Sequence, residues 1–466
     1  MTKTQAAAAI LVLASGTSAW AQSRLPGDAV PHQFVIRATP DQNAQQIGAT
    51  YGAVVVASYV PHRLYLLQTP APNTSQQDAD IQHRLQNDAR VQASEANRVL
   101  ASPEGSTQSF FVSAAPSSYP DQPARTIIGL SPEISLTGAG ITVAVLDTGL
   151  GSNSVFQDRT MSPGYDFVDN NADTSDVGNG LDDNGNGLVD EMVGHGTMVA
   201  GLVSLAAPGA RLIPVKVLDS DGGGTTFTVA AGLYFASDAA AQVINLSLAS
   251  PMPSAVIDDA VATATSGGAI VIAAAGNSDS VQPSYPAASP GAIAVAATDN
   301  TDHKAVFSDY GAYLSICAPG TDITSTFPNN QFATASGCSF STGLVSGVMA
   351  LAWSGSPATP SANMASRLLD AATNIDAANP NYLNMLGRGR VDVGATLAQL
   401  PHCGSADFNC DGNVGTDADI QSFFQCLAGA CPGSPCTGSA DFNGDGSVGT
   451  DADIESFFRV LGGGSC

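Results

Sequence analysis

Residues 141–147 read ITVAVLD, a strongly apolar, β-branched run that ends on an aspartate. A run of this kind suits a strand buried on both faces, as strands of parallel sheets are. Four more follow: RLIPVKVLD (211–219), VINLSL (243–248), AIVIAAAG (269–276) and AIAVAAT (292–298). Helix-like segments lie between them, among them 227–241 and 255–266. The alternation predicts a doubly wound α/β fold with a parallel sheet. Functional sites in such folds collect at the carboxyl ends of strands, and Asp147 stands at one.

Composition narrows the choice further. The chain has 466 residues and a formal net charge of −25, from 16 Lys and Arg against 41 Asp and Glu. A nucleic-acid binder needs a basic footprint, and docking on anionic lipid needs one too, so both classes are excluded. Charged residues make up only 12% and hydrophobic ones 44%, which points to folded domains rather than disorder. Residues 1–21 read as a signal peptide: Lys3, the short apolar run 6–15, then Ala19-Trp20-Ala21 as a cleavage pattern. The expected product is secreted, with a possible cell-surface association. The expected domains are 22–120, an α+β segment with a Ser/Pro/Gln-rich linker; 121–400, the α/β domain; and 401–466, a small domain holding six of the eight cysteines.

Three motifs carry chemistry. VAVLDTG places Asp147 at a strand end, VGHGTMVAG places His195 before a helical run, and SGCSFSTGLVSG places Ser339 at the start of another. The order Asp, His, Ser is one of those used by hydrolytic triads. A serine hydroxyl needs a neighbouring base, and only His195 and His303 are available within this domain. With AAAGN (273–277), SYPAASPGAIAVAATD (284–299), FSDYGAYLSICAPG (307–320) and GRGRVDV (387–393), the region from about 125 to 398 resembles the subtilisin-family (subtilase) serine proteases. The resemblance implies a secreted serine endopeptidase acting on polypeptides through an acyl-enzyme. Ser339 is then the nucleophile, His195 the base, Asp147 its orienting partner and Asn277 an oxyanion-hole donor. Ser247, Leu248, Ala249 and Ser284 match positions near the primary specificity pocket. Two departures stand beside the nucleophile, Cys338 for the usual Thr and Gly343 for the usual Pro. Residues 22–102 resemble the family's inhibitory propeptide, with 91–100 as its last strand and cleavage expected between 103 and 120. The alternative is a weak or inactive relative that acts mainly as a calcium-dependent binding module.

Calcium is the expected cofactor. Asp182, Asn184, Asn186 and Asp190 place oxygen donors at alternate positions around Gly187, within a stretch holding eight acids and no bases (166–191). A direct repeat, 405–427 and 439–461 at an offset of 34 residues, opens EF-hand-type loops with Asp407, Asn409, Asp411 and with Asp441, Asn443, Asp445. Ala418 and Ala452 stand where the last acid is expected, and a one-residue bulge would let Asp419 and Asp453 serve. The paired repeats resemble dockerin domains, which implies a cohesin-like protein partner. Comparing the two copies predicts the disulfide Cys410–Cys426, and the cysteines that bracket each copy predict Cys403–Cys431 and Cys436–Cys466; Cys317 and Cys338 are left open.

Overall fold

The computed structural model describes residues 25–70, 73–104, 110–157, 161–357, 359–400, 404, 406–409, 411, 413–431 and 438–463. The signal segment 1–21 lies outside them.

The N-terminal module runs β1 (Ala29–Ala38), α1 (Ala44–Thr50), β2 (Val54–Tyr59), β3 (Leu64–Gln68), α2 (Ser75–Gln86) and β4 (Val91–Ala101). Its antiparallel strands are ordered β2-β3-β1-β4. Phe34, Ile36, Ile47, Leu67 and Leu85 form its core. Thr74 and Gln77 close a capping box that starts α2. A connection with β5 (Phe111–Val112) and α3 (Pro123–Ile127) leads into the α/β domain.

That domain runs β6 (Thr142–Asp147), β7 (Tyr165–Asp166), α4 (His195–Ala206), β8 (Arg211–Lys216), β9 (Gly223–Thr225), α5 (Thr226–Asp238), β10 (Val243–Leu246), α6 (Ala255–Ser266), β11 (Ile270–Ala274), β12 (Ala292–Thr298) and β13 (Ile316–Pro319). It continues with β14 (Ile323–Phe327), β15 (Gln331–Ala335), α7 (Cys338–Gly355), α8 (Ser361–Asp370) and α9 (Val393–Ala398). The main sheet has the order β13-β12-β11-β10-β6-β8-β7, with every neighbouring pair parallel. Helices cover both faces, as the apolar runs predicted. Along β6, Ala144 and Leu146 point to the α5/α6 side and Val143 and Val145 to the α4/α7 side. This two-residue period explains why β6 is apolar throughout.

α4 and α7 carry the histidine and serine motifs and pack closely together. A Cβ on Gly343 would lie 3.0 Å from the Val199 carbonyl oxygen, and one on Gly347 would lie 2.7 Å from Ala206 Cβ. Gly343, the departure four residues after Ser339, is therefore a packing residue that lets two helices approach.

In the C-terminal region α10 (Asp417–Leu427) and α11 (Asp451–Leu461) pack around Phe408, Phe423, Phe442 and Phe457. Cys426 pairs with Cys431, which corrects two expected pairings, Cys410–Cys426 and Cys403–Cys431. The chain reverses just after α10, with Gly429 at φ +93 and its N–H on the Cys426 carbonyl, and this turn brings the two thiols together. Repeat alignment registers which cysteines vanish together but not a local reversal. Cys436–Cys466 lies outside the described residues. Cys317 and Cys338 are free and buried.

Candidate active site

Asp147 ends β6, His195 opens α4, and Ser339 lies in the first turn of α7. All three are fully buried. His195 Nδ1 and Asp147 Oδ1 are 2.6 Å apart, and the Thr148 N–H donates to the same oxygen at 2.7 Å. Gly194, at φ +96, turns the chain into α4; a Cβ there would collide with the Phe327 ring. Asp176 ties the two motifs together: it accepts from Gly194 N, Thr148 Oγ1, Thr197 N and Thr197 Oγ1 at 2.6–3.1 Å. Sequence reasoning had counted Asp176 only among the acids of the calcium-like stretch.

Asn277 follows β11. Its Oδ1 accepts from Cys338 N at 2.9 Å, which aims Nδ2 toward the nucleophile. Cys338 Sγ packs on the Gly276 carbonyl and Ser308 Oγ, and burial pushes its thiol up to about 12. Ser247 Oγ donates to the Ser339 carbonyl at 3.1 Å and accepts from Asn245 Nδ2 at 3.0 Å.

A fifth side chain enters this cluster from the N-terminal module. Glu104, with a fully buried side chain, sets Oε2 2.9 Å from His195 Nε2 and 2.9 Å from Ser339 Oγ. Its Oε1 accepts from Asn277 Nδ2 at 3.1 Å and from Ser339 N at 3.4 Å. Sequence reasoning missed it, because nothing in a Ser/Pro-rich linker marks one acid as buried. Burial disfavours the imidazolium of His195, but Asp147 and Glu104 on either side outweigh this and hold its pKa well above 6.5. Burial works to raise Glu104; the His195 charge and hydrogen bonds from His195, Ser102 and Ser339 overcome that and hold it below 4.5. For Asp147 burial prevails and raises the pKa.

The tail that delivers Glu104 runs extended between β9 and Ala249. Residues 99–101 of β4 pair antiparallel with β9, adding it to the N-terminal sheet. Ala101 and Ala249 exchange hydrogen bonds of 3.1 and 2.8 Å, and Ser102 N donates to the Gly222 carbonyl at 2.9 Å. The expected specificity segment 247–249 thus borders this tail, while Ser284 sits beside Gly276.

The calcium-like residues are arranged less convergently. Asp182 accepts from Gly185 N, Asn186 N and Gly187 N, and the Asn184 and Asn186 amides donate to Glu191 Oε1. Asp190 turns instead to Asn179 N and Gly180 N. The loop rests on Asp221, which accepts from Asp183 N and Asp190 N. Burial, with the charges of neighbouring acids, raises Asp219 to about 7 and Asp221 to about 6. In the repeats Asp407 and Asn409 accept from Asp411 N, and Asp411 accepts from Asn413 N. Asp441 accepts from Gly446 N, Asn443 from Asp445 N and Asp445 from Ser447 N. Asp419 and Asp453 are buried and reach back to Asn409 N and Asn443 N while capping their own helices. Among the described residues no group of three or more His, Cys, Asp or Glu side chains is arranged to hold a metal ion.

Comparison with known proteins agrees with this architecture. The subtilase family profile matches residues 138–389. Subtilisin BL of Lederbergia lenta is 39% identical over 269 residues, covering 56% of this chain and 91% of that protein. Thermitase of Thermoactinomyces vulgaris is 37% identical over 214 residues, 46% of this chain and 75% of its own. Fervidolysin of Fervidobacterium pennivorans, a keratinolytic enzyme related to subtilisin, has a similar fold, with a TM-score of 0.66 at 20% identity over 84% of this chain and 65% of that one. The chain is thus a serine endopeptidase of subtilisin type. It belongs to the subtilase family.

Proposed function

We propose that Asp147, His195 and Ser339 act as a catalytic triad with Asn277 and the Ser339 N–H as oxyanion donors. The observation that carries this is convergence: His195 Nε2, Ser339 Oγ, Asn277 Nδ2 and Ser339 N all contact one bound carboxylate. A scissile carbonyl seated there would meet the nucleophile and the donors together. Ser339 Oγ attacks the carbonyl carbon while His195 takes its proton, and the oxygen's developing charge falls on Asn277 and the Ser339 N–H. His195 then protonates the leaving amine, and water repeats the sequence on the acyl-enzyme. Asp147 holds the imidazole's orientation and stabilises its charged form.

Residues 22–120 are read as an inhibitory propeptide and linker, supported by the seating of 99–102 between β9 and Ala249. Residues 1–21 are read as an export signal. Among the described residues no helix is long and apolar enough to cross a membrane. The donor set of the 182–191 loop and of the two repeats is oxygen only, and the raised Asp219 and Asp221 lie among acids; both features fit Ca²⁺. Asp182, Asn184, Asn186 and Asp190, and the repeat residues Asp407, Asn409, Asp411, Asp441, Asn443 and Asp445, would hold it. There the ion would neutralise repulsion and brace the fold. The C-terminal repeats are read as a dockerin-like module for a cohesin-like partner. The test is hydrolysis of a chromogenic peptide by wild type and Ser339→Ala. Activity in the first and none in the second supports the triad; equal rates refute it.

A further inference from the structure

We infer that the side chain of Glu104 is the latch that keeps the uncut chain inactive, a carboxylate seated where the reacting carbonyl belongs. The inference rests on the triad reading and adds to it the group that controls access to the site.

The tail up to Ser102 lies as an extended peptide between β9 and Ala249. Two residues on, it is a side-chain carboxylate that meets Ser339 Oγ. Oε1 takes the two oxyanion donors, at 3.1 and 3.4 Å, and Oε2 stands between base and nucleophile, 2.9 Å from each. Ser102 Oγ donates to Oε2 at 2.7 Å and so orients the carboxylate from within the tail itself.

Each contact uses a group the reaction needs. The oxygen that accepts from Ser339 Oγ also bonds the nitrogen that must take the serine proton. An ionised carboxylate offers the nucleophile no amine leaving group and a carbon stabilised by resonance, so it is held without being cut. Gly337 leaves room for it, since a Cβ there would collide with Oε1. Hydrogen bonds to a charged group inside a buried site are among the stronger ones, so this single side chain contributes a large part of the occlusion.

The experiment is labelling of the intact chain by a fluorophosphonate, scored by intact mass so that only uncut molecules count. Wild type, Glu104→Gln and Glu104→Ala are compared, with Ser339→Ala as blank. Labelling should rise in that order, with Glu104→Ala faster than wild type on the order of tenfold or more. Glu104→Gln keeps the shape and loses the charge, so it reports on the latch even where the alanine variant folds poorly. A wild-type chain labelled as fast as both variants, or one that cuts itself before it can be isolated, overturns the latch and leaves the protease reading standing. Labelling in none of the three also overturns the latch, since the rest of the tail then occludes the site without Glu104; the protease reading is judged separately, by peptide hydrolysis after the tail is removed.

Discussion

At the proposed catalytic centre two carboxylates, Asp147 and Glu104, face one imidazole; at the turn 219–223, Asp219 and Asp221 lie close to other acids, Asp183 and Glu191. Both settings are buried, yet Glu104 is held below its ordinary pKa and Asp219 is lifted to about 7. The difference is the cation. His195 supplies a positive charge at 2.9 Å to Glu104, whereas the charges that act most on Asp219 are those of Asp183 and Asp221, which raise it. Burial alone therefore does not decide whether an acid stays ionised. A partner of opposite sign can outweigh it, as His195 does for Glu104 though not for Asp147, and the second region would gain such a partner from solution as Ca²⁺.

The largest expected effect breaks the first region. Asp147→Asn removes the charge that orients and stabilises the imidazolium, and kcat should fall by about 10⁴-fold with the fold intact. Steady-state kinetics with near-ultraviolet circular dichroism check this; a loss below tenfold would remove Asp147 from the triad. Next comes Asn277→Ala, which deletes one proposed oxyanion donor and should lower kcat by about 10²–10³-fold with little change in KM. A rise in KM alone would make Asn277 a binding residue.

Smaller effects sharpen the comparison through pH. His195 faces Asp147 and Glu104, and Glu104 faces His195, Ser102, Ser339, Asn277 and the Cys338 thiol. The base must be neutral to work, and Glu104 helps keep it charged. Glu104→Gln should therefore move the rise of labelling with pH to lower pH than in wild type; an unmoved or upward-moved midpoint contradicts the coupling. In the second region the sign follows from a raised carboxylate. Asp219 binds its proton more tightly folded than unfolded, so its contribution to stability is complete below about pH 4 and is lost as pH rises through about 7. In chelator the melting temperature should fall across that window, and Ca²⁺ should restore it most above pH 7. A melting temperature indifferent to chelator at pH 8 would count against calcium in the acidic loop.

Much of the fold was legible because its physics is local and periodic. The runs at 141–147, 243–248 and 292–298 are apolar on both faces and became β6, β10 and β12 of a two-sided sheet. β7 and β9 are two and three residues long and exist only through their neighbours, so no period could announce them. The positions of Asp147, His195 and Ser339 followed from motifs at strand and helix ends. Asp176 and Glu104 did not, because each acts through contacts far along the chain: Asp176 meets Thr197, and Glu104 meets residues 91 and 235 positions away. The misread disulfides share that cause at short range, since the turn after α10 is set by Gly429 and not by the repeat.

The central claim is that Asp147, His195 and Ser339 work as one unit, and non-additivity tests it most directly. Rates of peptide hydrolysis by mature Ser339→Ala, His195→Ala and the double variant should fall to about the same residual level, since removing one member already disables the other. Losses that multiply, the double variant lying below each single one by the other's full factor, would contradict it.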